Sequence, residues 1–198
     1  MKNSEDRSHH ICPWWMGYFL ASPIRQLFQD PRKITGPYIR QGMHVLEIGP
    51  GMGFFTLPMA KLVGTQGRII CVEVQEKMMA ALDKRVKRAG LENIVQVRSC
   101  RSDSLGIEDI RHSVDFALLF AVVHEIENTA QMFRDVHASM RSSGLLLMSE
   151  PEAHVSREEY NKSLETAIQS GFEVVSDLQI RRSYSNLLKK VQSEIPAV

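Results

Sequence analysis

The sequence predicts an α/β domain: a mostly parallel sheet with helices on both faces. Three observations carry that expectation. Short apolar, β-like runs alternate with helix-length segments along the chain. Gly, Pro and Asn punctuate the boundaries without forming an internal repeat. One strand runs directly into a glycine loop that opens a helix, the context in which such a loop acquires chemical meaning.

In chain order, His44 to Ile48 reads as a buried strand, followed by Gly49-Pro50-Gly51-Met52-Gly53 and a helix over Phe54 to Val63. Arg68 to Val74 is the second strand. Glu76 to Ala89 places Met79, Leu82 and Val86 on one face, with Lys77, Lys84, Arg85, Lys87 and Arg88 elsewhere, and Gly90 stands where the helix stops. The charged run from Lys84 to Arg88 is read as the solvated face of that helix. Ile94 to Arg98 and Val114 to Phe120 are strands, Thr129 to Met140 is a helix, and Leu145 to Ser149 is a strand after Gly144. Ser156 with Glu159 fits a capping box, opening a helix that Gly171 ends before strands at Phe172 to Asp177 and Ser183 to Val191. Right-handed crossovers follow, and ligands are expected at the carboxyl ends of the strands. Residues 1–40 read as a helical N-terminal extension and lid, and residues 41–198 as the ligand-binding domain.

Composition narrows the function classes. With 198 residues, 43% hydrophobic and 24% charged, the chain can bury a core without staples. Its 24 basic and 23 acidic residues give a formal charge of +1, which supplies no broad footprint for nucleic acid or anionic membrane. Cys12, Cys71 and Cys100 form no CxxC pair, and an odd number of thiols points to a reducing, cytoplasmic setting. The apolar run Ile11 to Ala21 is interrupted by Pro13 and is shorter than the ~20 residues a spanning helix needs. The stretch Lys2 to His10 lacks the basic bias of a secretory leader.

The glycine loop discriminates between cofactors. A dinucleotide fingerprint requires G-x-G-x-x-G, but Phe54 occupies the third glycine position, and the pattern present from Glu47 to Gly53 is E-x-G-x-G-x-G. That loop resembles the first motif of class I S-adenosylmethionine-dependent methyltransferases, and the chain looks closest to the ubiquinone/menaquinone-biosynthesis type. The likeness runs over roughly residues 40 to 191. It includes Glu73, twenty positions beyond Gly53 at the end of the second strand, the segment Leu119 to Ile126 after the fourth strand, and Gly171 to Val175.

The resemblance implies a Rossmann-like methyltransferase fold with seven strands, the last antiparallel. It also implies S-adenosyl-L-methionine held by Glu47, Gly49, Pro50, Gly51, Gly53, Glu73 and Val74. Glu73 would accept hydrogen bonds from the ribose hydroxyls. Phe120 and Ala121 would line the methyl-donor site. Cys100 stands where the family often has an Asp for the adenine amino group; a thiol is a poor acceptor, so Arg101 and Asp103 join it as candidates.

His124, then His154 and Glu150, are the candidate catalytic residues, because each follows a strand on the ligand-binding edge. His124 to Asn128 begins like the zinc-protease motif H-E-x-x-H, but Asn128 replaces the second histidine, so zinc proteolysis is rejected. His9, His10 and Cys12 supply too few spaced ligands for a metal site, and no metal is expected. Trp14, Trp15 and Tyr18 pack a helix onto the domain or form an aromatic lid.

The expected function is methyl transfer to a small-molecule acceptor by in-line displacement, with alignment and water exclusion as the main demands on the protein. Three alternatives stay open: a methyltransferase-like binding protein without activity, an RNA or protein methyltransferase, and a nicotinamide-dependent oxidoreductase. The sequence leaves the acceptor and homo-oligomerisation undecided.

Overall fold

The computed structural model describes residues 29–100 and 104–191. The expected lid segment with Trp14, Trp15 and Tyr18, and the candidates Arg101 and Asp103, lie outside the described residues.

The described elements are α1 (Pro31–Thr35), β1 (His44–Ile48), α2 (Thr56–Val63), β2 (Arg68–Glu73), α3 (Glu76–Arg88), β3 (Val95–Ser99), β4 (Val114–Phe120), α4 (Thr129–Ser139), β5 (Met140–Pro151), α5 (Arg157–Gln169), β6 (Phe172–Asp177) and β7 (Ser183–Lys190). One-turn 3-10 helices lie at Glu108–Ile110 and Val123–Glu125. The seven strands form one sheet in the order β3-β2-β1-β4-β5-β7-β6. β1 to β5 pair in parallel, and β7 runs antiparallel to both β5 and β6. The reason is local: residues 178–182 are too few for a crossover helix, so the chain can only turn back.

Both faces of the sheet are covered, which explains why the central strands read as continuous apolar runs. Leu46, Ile48, Ile70, Val72, Leu119 and Met148 face Phe133 and Val136 of α4 and Tyr160 of α5. Val45, Ile69, Cys71, Phe116, Leu118 and Leu147 face Met59 and Val63 of α2 and Leu82 and Val86 of α3. α5 carries the expected capping box, the Ser156 side chain accepting from the Glu159 amide and the Glu159 carboxylate from the Ser156 amide.

Several boundaries and faces differ from the sequence reading. Helix α2 starts at Thr56, because Phe54 and Phe55 continue the turn closed by the Gly53 amide on the Pro50 carbonyl (2.9 Å). On α3 the buried stripe is Met78, Leu82 and Val86, a spacing of four, and Met79 sits at its half-buried margin. β5 begins at Met140, since Gly144 fits inside the strand: a Cβ there would approach the Val114 carbonyl to 3.2 Å. Arg85 does not belong to the solvated face; it is half-buried and donates to the Met52 carbonyl of the glycine loop.

Candidate active site

β1 and β4 are neighbours at the centre of the sheet, and the helices that follow them lie on opposite faces. The crevice at their carboxyl ends is the topological switch point of this sheet. The glycine loop starts there, with the Gly49 amide donating to the Val72 carbonyl (2.9 Å). Gly49 and Gly51 both have positive φ, +67° and +54°, but they do different work. A Cβ on Gly49 would come within 2.5 Å of Val122 Cγ2, whereas a Cβ on Gly51 would enter open space. Gly49 is therefore a packing glycine and Gly51 leaves backbone uncovered for a ligand. Pro50 is buried between them.

Glu73 ends β2 with only 6% of its surface exposed. Its Oε2 accepts the Gly51 amide (3.2 Å), and its Oε1 accepts the amides of Val74 and Gln75 (3.0 Å each). Burial raises its pKa above the ordinary carboxylate value against the pull of these three amides. The carboxylate thus orders the glycine loop and keeps a lone pair on Oε2 for an incoming hydroxyl. The Val74 side chain is 45% exposed, so its place in the site rests on its amide. Cys100 is half-buried beside Glu73, its amide donating to the Glu73 carbonyl (3.1 Å), and burial followed by that charge pushes its thiol pKa up.

Glu47 is turned beneath the loop, 3% exposed, toward α2. Thr56 Oγ1 donates to its Oε2 (2.6 Å), and Cys71 Sγ lies 3.7 Å from the same oxygen. Burial, opposed by the Thr56 and Cys71 contacts and aided by the charge of Glu73, raises its pKa from 4.5 to about 7. The protonated carboxyl is favoured in the folded protein. Its contribution to stability is therefore complete below pH 4.5 and is lost as the pH rises through about 7. Glu47→Gln is expected to gain stability relative to the parent as the pH climbs from 4.5 to 7, read by urea denaturation across that range. A difference independent of pH would show that the pKa of Glu47 is the same in the folded and unfolded protein.

Beyond β4, Phe120 is buried against Phe55 (centroids 4.5 Å apart), and Ala121 adopts φ +57°. A non-glycine residue in that region is strained, and here the Ala121 amide is fixed on the Ser149 carbonyl (2.8 Å). The bend aims the next residues at the end of β5. There Glu150, 1% exposed, accepts the amides of Val122 (3.0 Å) and Val123 (2.8 Å) on Oε1 and meets His124 Nδ1 with Oε2. The His154 ring stacks on His124 at 6.0 Å and 17°. The three candidate catalytic residues, 30 positions apart in sequence, are thus brought into one cluster.

Behind Glu150, Tyr160 donates to Asn186 Oδ1 (2.7 Å), and Asn186 donates to Asp177 (2.6 Å). Burial and the charges of Glu150 and Asp177 keep the tyrosine protonated. Among the described residues, no group of three or more His, Cys, Asp or Glu is placed to hold a metal ion, and no helix is long and apolar enough to cross a membrane.

Several residues around the site carried no sequence signal. Thr56 and Cys71 around Glu47 and Arg85 on the loop are ordinary residue types; only proximity gives them a role.

Comparison with known proteins places this geometry. A family model described as a methyltransferase domain matches residues 39–192. The chain is 22% identical over 131 residues to a ubiquinone/menaquinone biosynthesis C-methyltransferase of Pseudoalteromonas translucida, covering 65% of this chain and 51% of that protein. It is 39% identical over 57 residues to a protein-L-isoaspartate O-methyltransferase of Thermotoga maritima, covering 29% and 18%. The chain therefore spans about half or less of the length of these curated relatives. The crystal structure of a SAM-dependent methyltransferase from Aquifex aeolicus superposes with a TM-score of 0.81 at 21% identity, over 92% of this chain and 100% of that one.

Proposed function

Because the chain belongs to the methyltransferase-domain family, within the class I S-adenosylmethionine-dependent methyltransferases, we propose that it transfers a methyl group from S-adenosylmethionine to a small-molecule acceptor. The observation that carries the reading is the uncovered backbone at Gly51 beside the Glu73 carboxylate. This pairing fits an adenosine. A glycine backbone admits close approach, and a buried carboxylate with a remaining lone pair accepts a ribose hydroxyl.

Glu73 and the uncovered backbone of Gly51 would hold the cofactor, on the loop that Gly49, Pro50 and Gly53 shape, with Val74 and the half-buried Cys100 beside Glu73 and Phe120 and Ala121 at the end of β4. Glu47 lies beneath the loop, bonded to Thr56. When bound, S-adenosylmethionine supplies a methyl group activated by a positively charged sulfur. The protein's share is to orient the acceptor over the end of β4 and to exclude water. A formal charge of +1 supplies no phosphate-binding field, which favours a small acceptor over a nucleic acid.

Titration calorimetry with S-adenosylhomocysteine tests the reading. The parent is expected to bind, and Glu73→Ala to bind about ten- to a hundredfold more weakly, the loss of one charge-assisted hydrogen bond. Equal affinity in a folded Glu73→Ala protein would remove the ribose assignment, and binding of NAD in place of S-adenosylhomocysteine would favour an oxidoreductase.

A further inference from the structure

We propose that His124 is the base that takes the proton from an acidic hydroxyl, a phenol or an enol, on the methyl acceptor, and that Glu150 is the residue that positions it. The proposal rests on the methyltransferase reading above and names the class of acceptor.

Glu150 is held by three partners: Oε1 accepts the Val122 and Val123 amides, and Oε2 faces His124 Nδ1. An ionised carboxylate only accepts, so Nδ1 carries the ring proton. In the neutral imidazole this leaves Nε2 as a lone-pair acceptor. The ring is held on one side by this contact and stacked by His154, and 26% of the His124 side chain remains exposed. A proton taken up there has a path to water.

The charges around the ring tune its strength. Burial disfavours the charged imidazolium, but the hydrogen bond and charge of Glu150, with a smaller contribution from Glu125, outweigh it and raise the pKa above 6.5. His154 is the other titratable group against the ring, and Tyr160 behind Glu150 stays protonated.

A strengthened imidazole selects among acceptors. A thiol near 8.5 supplies its own thiolate, and a neutral amine brings its own lone pair; neither needs this base. A phenolic O–H near 10 does, and a base above 6.5 narrows the gap. In the step, the O–H bond breaks, an N–H bond forms at Nε2, and the electron pair stays on oxygen as the nucleophile. The proton leaves later from His124 to water.

Two measurements test this. The first is nitrogen NMR of the histidine rings in the protein alone, with His124→Gln assigning the signals. The neutral His124 ring is expected to carry its proton on Nδ1 and to titrate above 6.5, and Glu150→Gln to lower that pKa. A neutral ring protonated on Nε2, or a pKa at or below 6.5, overturns the proposal.

The second is transfer of a labelled methyl group to catechol or thiophenol. The parent is expected to methylate catechol, with kcat/KM rising with pH through a value above 6.5. His124→Gln should lose about 10²- to 10⁴-fold of that turnover and the inflection, with S-adenosylhomocysteine affinity kept within about twofold. Added imidazole should restore part of the activity of His124→Ala. Methylation of thiophenol but not catechol, or undiminished catechol turnover by His124→Gln, overturns it. Failure of the parent to bind S-adenosylhomocysteine removes the methyltransferase reading instead, and the ring tautomer, read without any ligand, still decides the assignment of the base.

Discussion

Glu150→Ala is expected to lower folding stability by about 2–6 kcal/mol, the cost of leaving two buried main-chain amides without their acceptor. The carboxylate is 1% exposed and is the acceptor for two main-chain amides and one imidazole. Its removal leaves the buried Val122 and Val123 amides without an acceptor, at about 1–3 kcal/mol for each unsatisfied group. Glu150→Gln separates the two roles. The amide oxygen can still accept from Val122 and Val123, so most of the stability is kept, while the charge that supports protonated His124 is gone. Urea denaturation with an unchanged m value measures the first effect. A loss below about 1 kcal/mol in Glu150→Ala would mean that water replaces the carboxylate, and the segment after β4 would then not depend on it.

Gly49→Ala is expected to cost about 2–5 kcal/mol. Two causes add: a side chain at φ +67° costs about 1–2 kcal/mol, and overpacking a buried contact costs about 1–3 kcal/mol. The clash is with Val122, itself held by Glu150, so relaxation is limited. Gly51→Ala is the matched control. Its φ of +54° carries the same backbone cost, but the Cβ meets nothing. The stability loss should therefore be about 1–2 kcal/mol, while affinity for S-adenosylhomocysteine falls because the uncovered backbone is now shielded. Thermal or urea unfolding together with calorimetry distinguishes the pair. Equal destabilisation by the two substitutions would show that Val122 moves freely and that Gly49 has no packing role.

Much of the fold was legible because the sheet is covered on both sides. Val114 to Phe120 reads as a buried run and is β4 over the same residues, and the Ser156–Glu159 pair marks the start of α5 as the structure has it. The misplacements share a cause: each depends on a neighbour distant in sequence. Helix α2 starts late because Phe55 is drawn onto Phe120, and β5 starts early because Met140 pairs with Val114 across 26 positions.

The site divided the same way. The glycine loop, Glu73 and the cluster of His124, Glu150 and His154 were identifiable, since strand ends converge on one edge. The downward turn of Glu47 toward Thr56 was not, because alternation alone leaves the last residues of β1 free to serve either face. Arg85 was hidden in a basic run whose other members do face solvent. The reading of residues 1–40 as a lid falls largely on residues outside those described.

Val122 joins the two halves of the site in a single residue: its side chain fills the space Gly49 leaves, and its amide is tied to Glu150. Positions 49, 122 and 150 are therefore not free to drift separately. A bulkier residue at 49 becomes tolerable only alongside a smaller one at 122, and loss of the acceptor at 150 has to be met by a new partner for the amides at 122 and 123. Related chains that have diverged here should show paired replacements, large for small at 49 and small for large at 122, and few lineages in which only one of the two has changed.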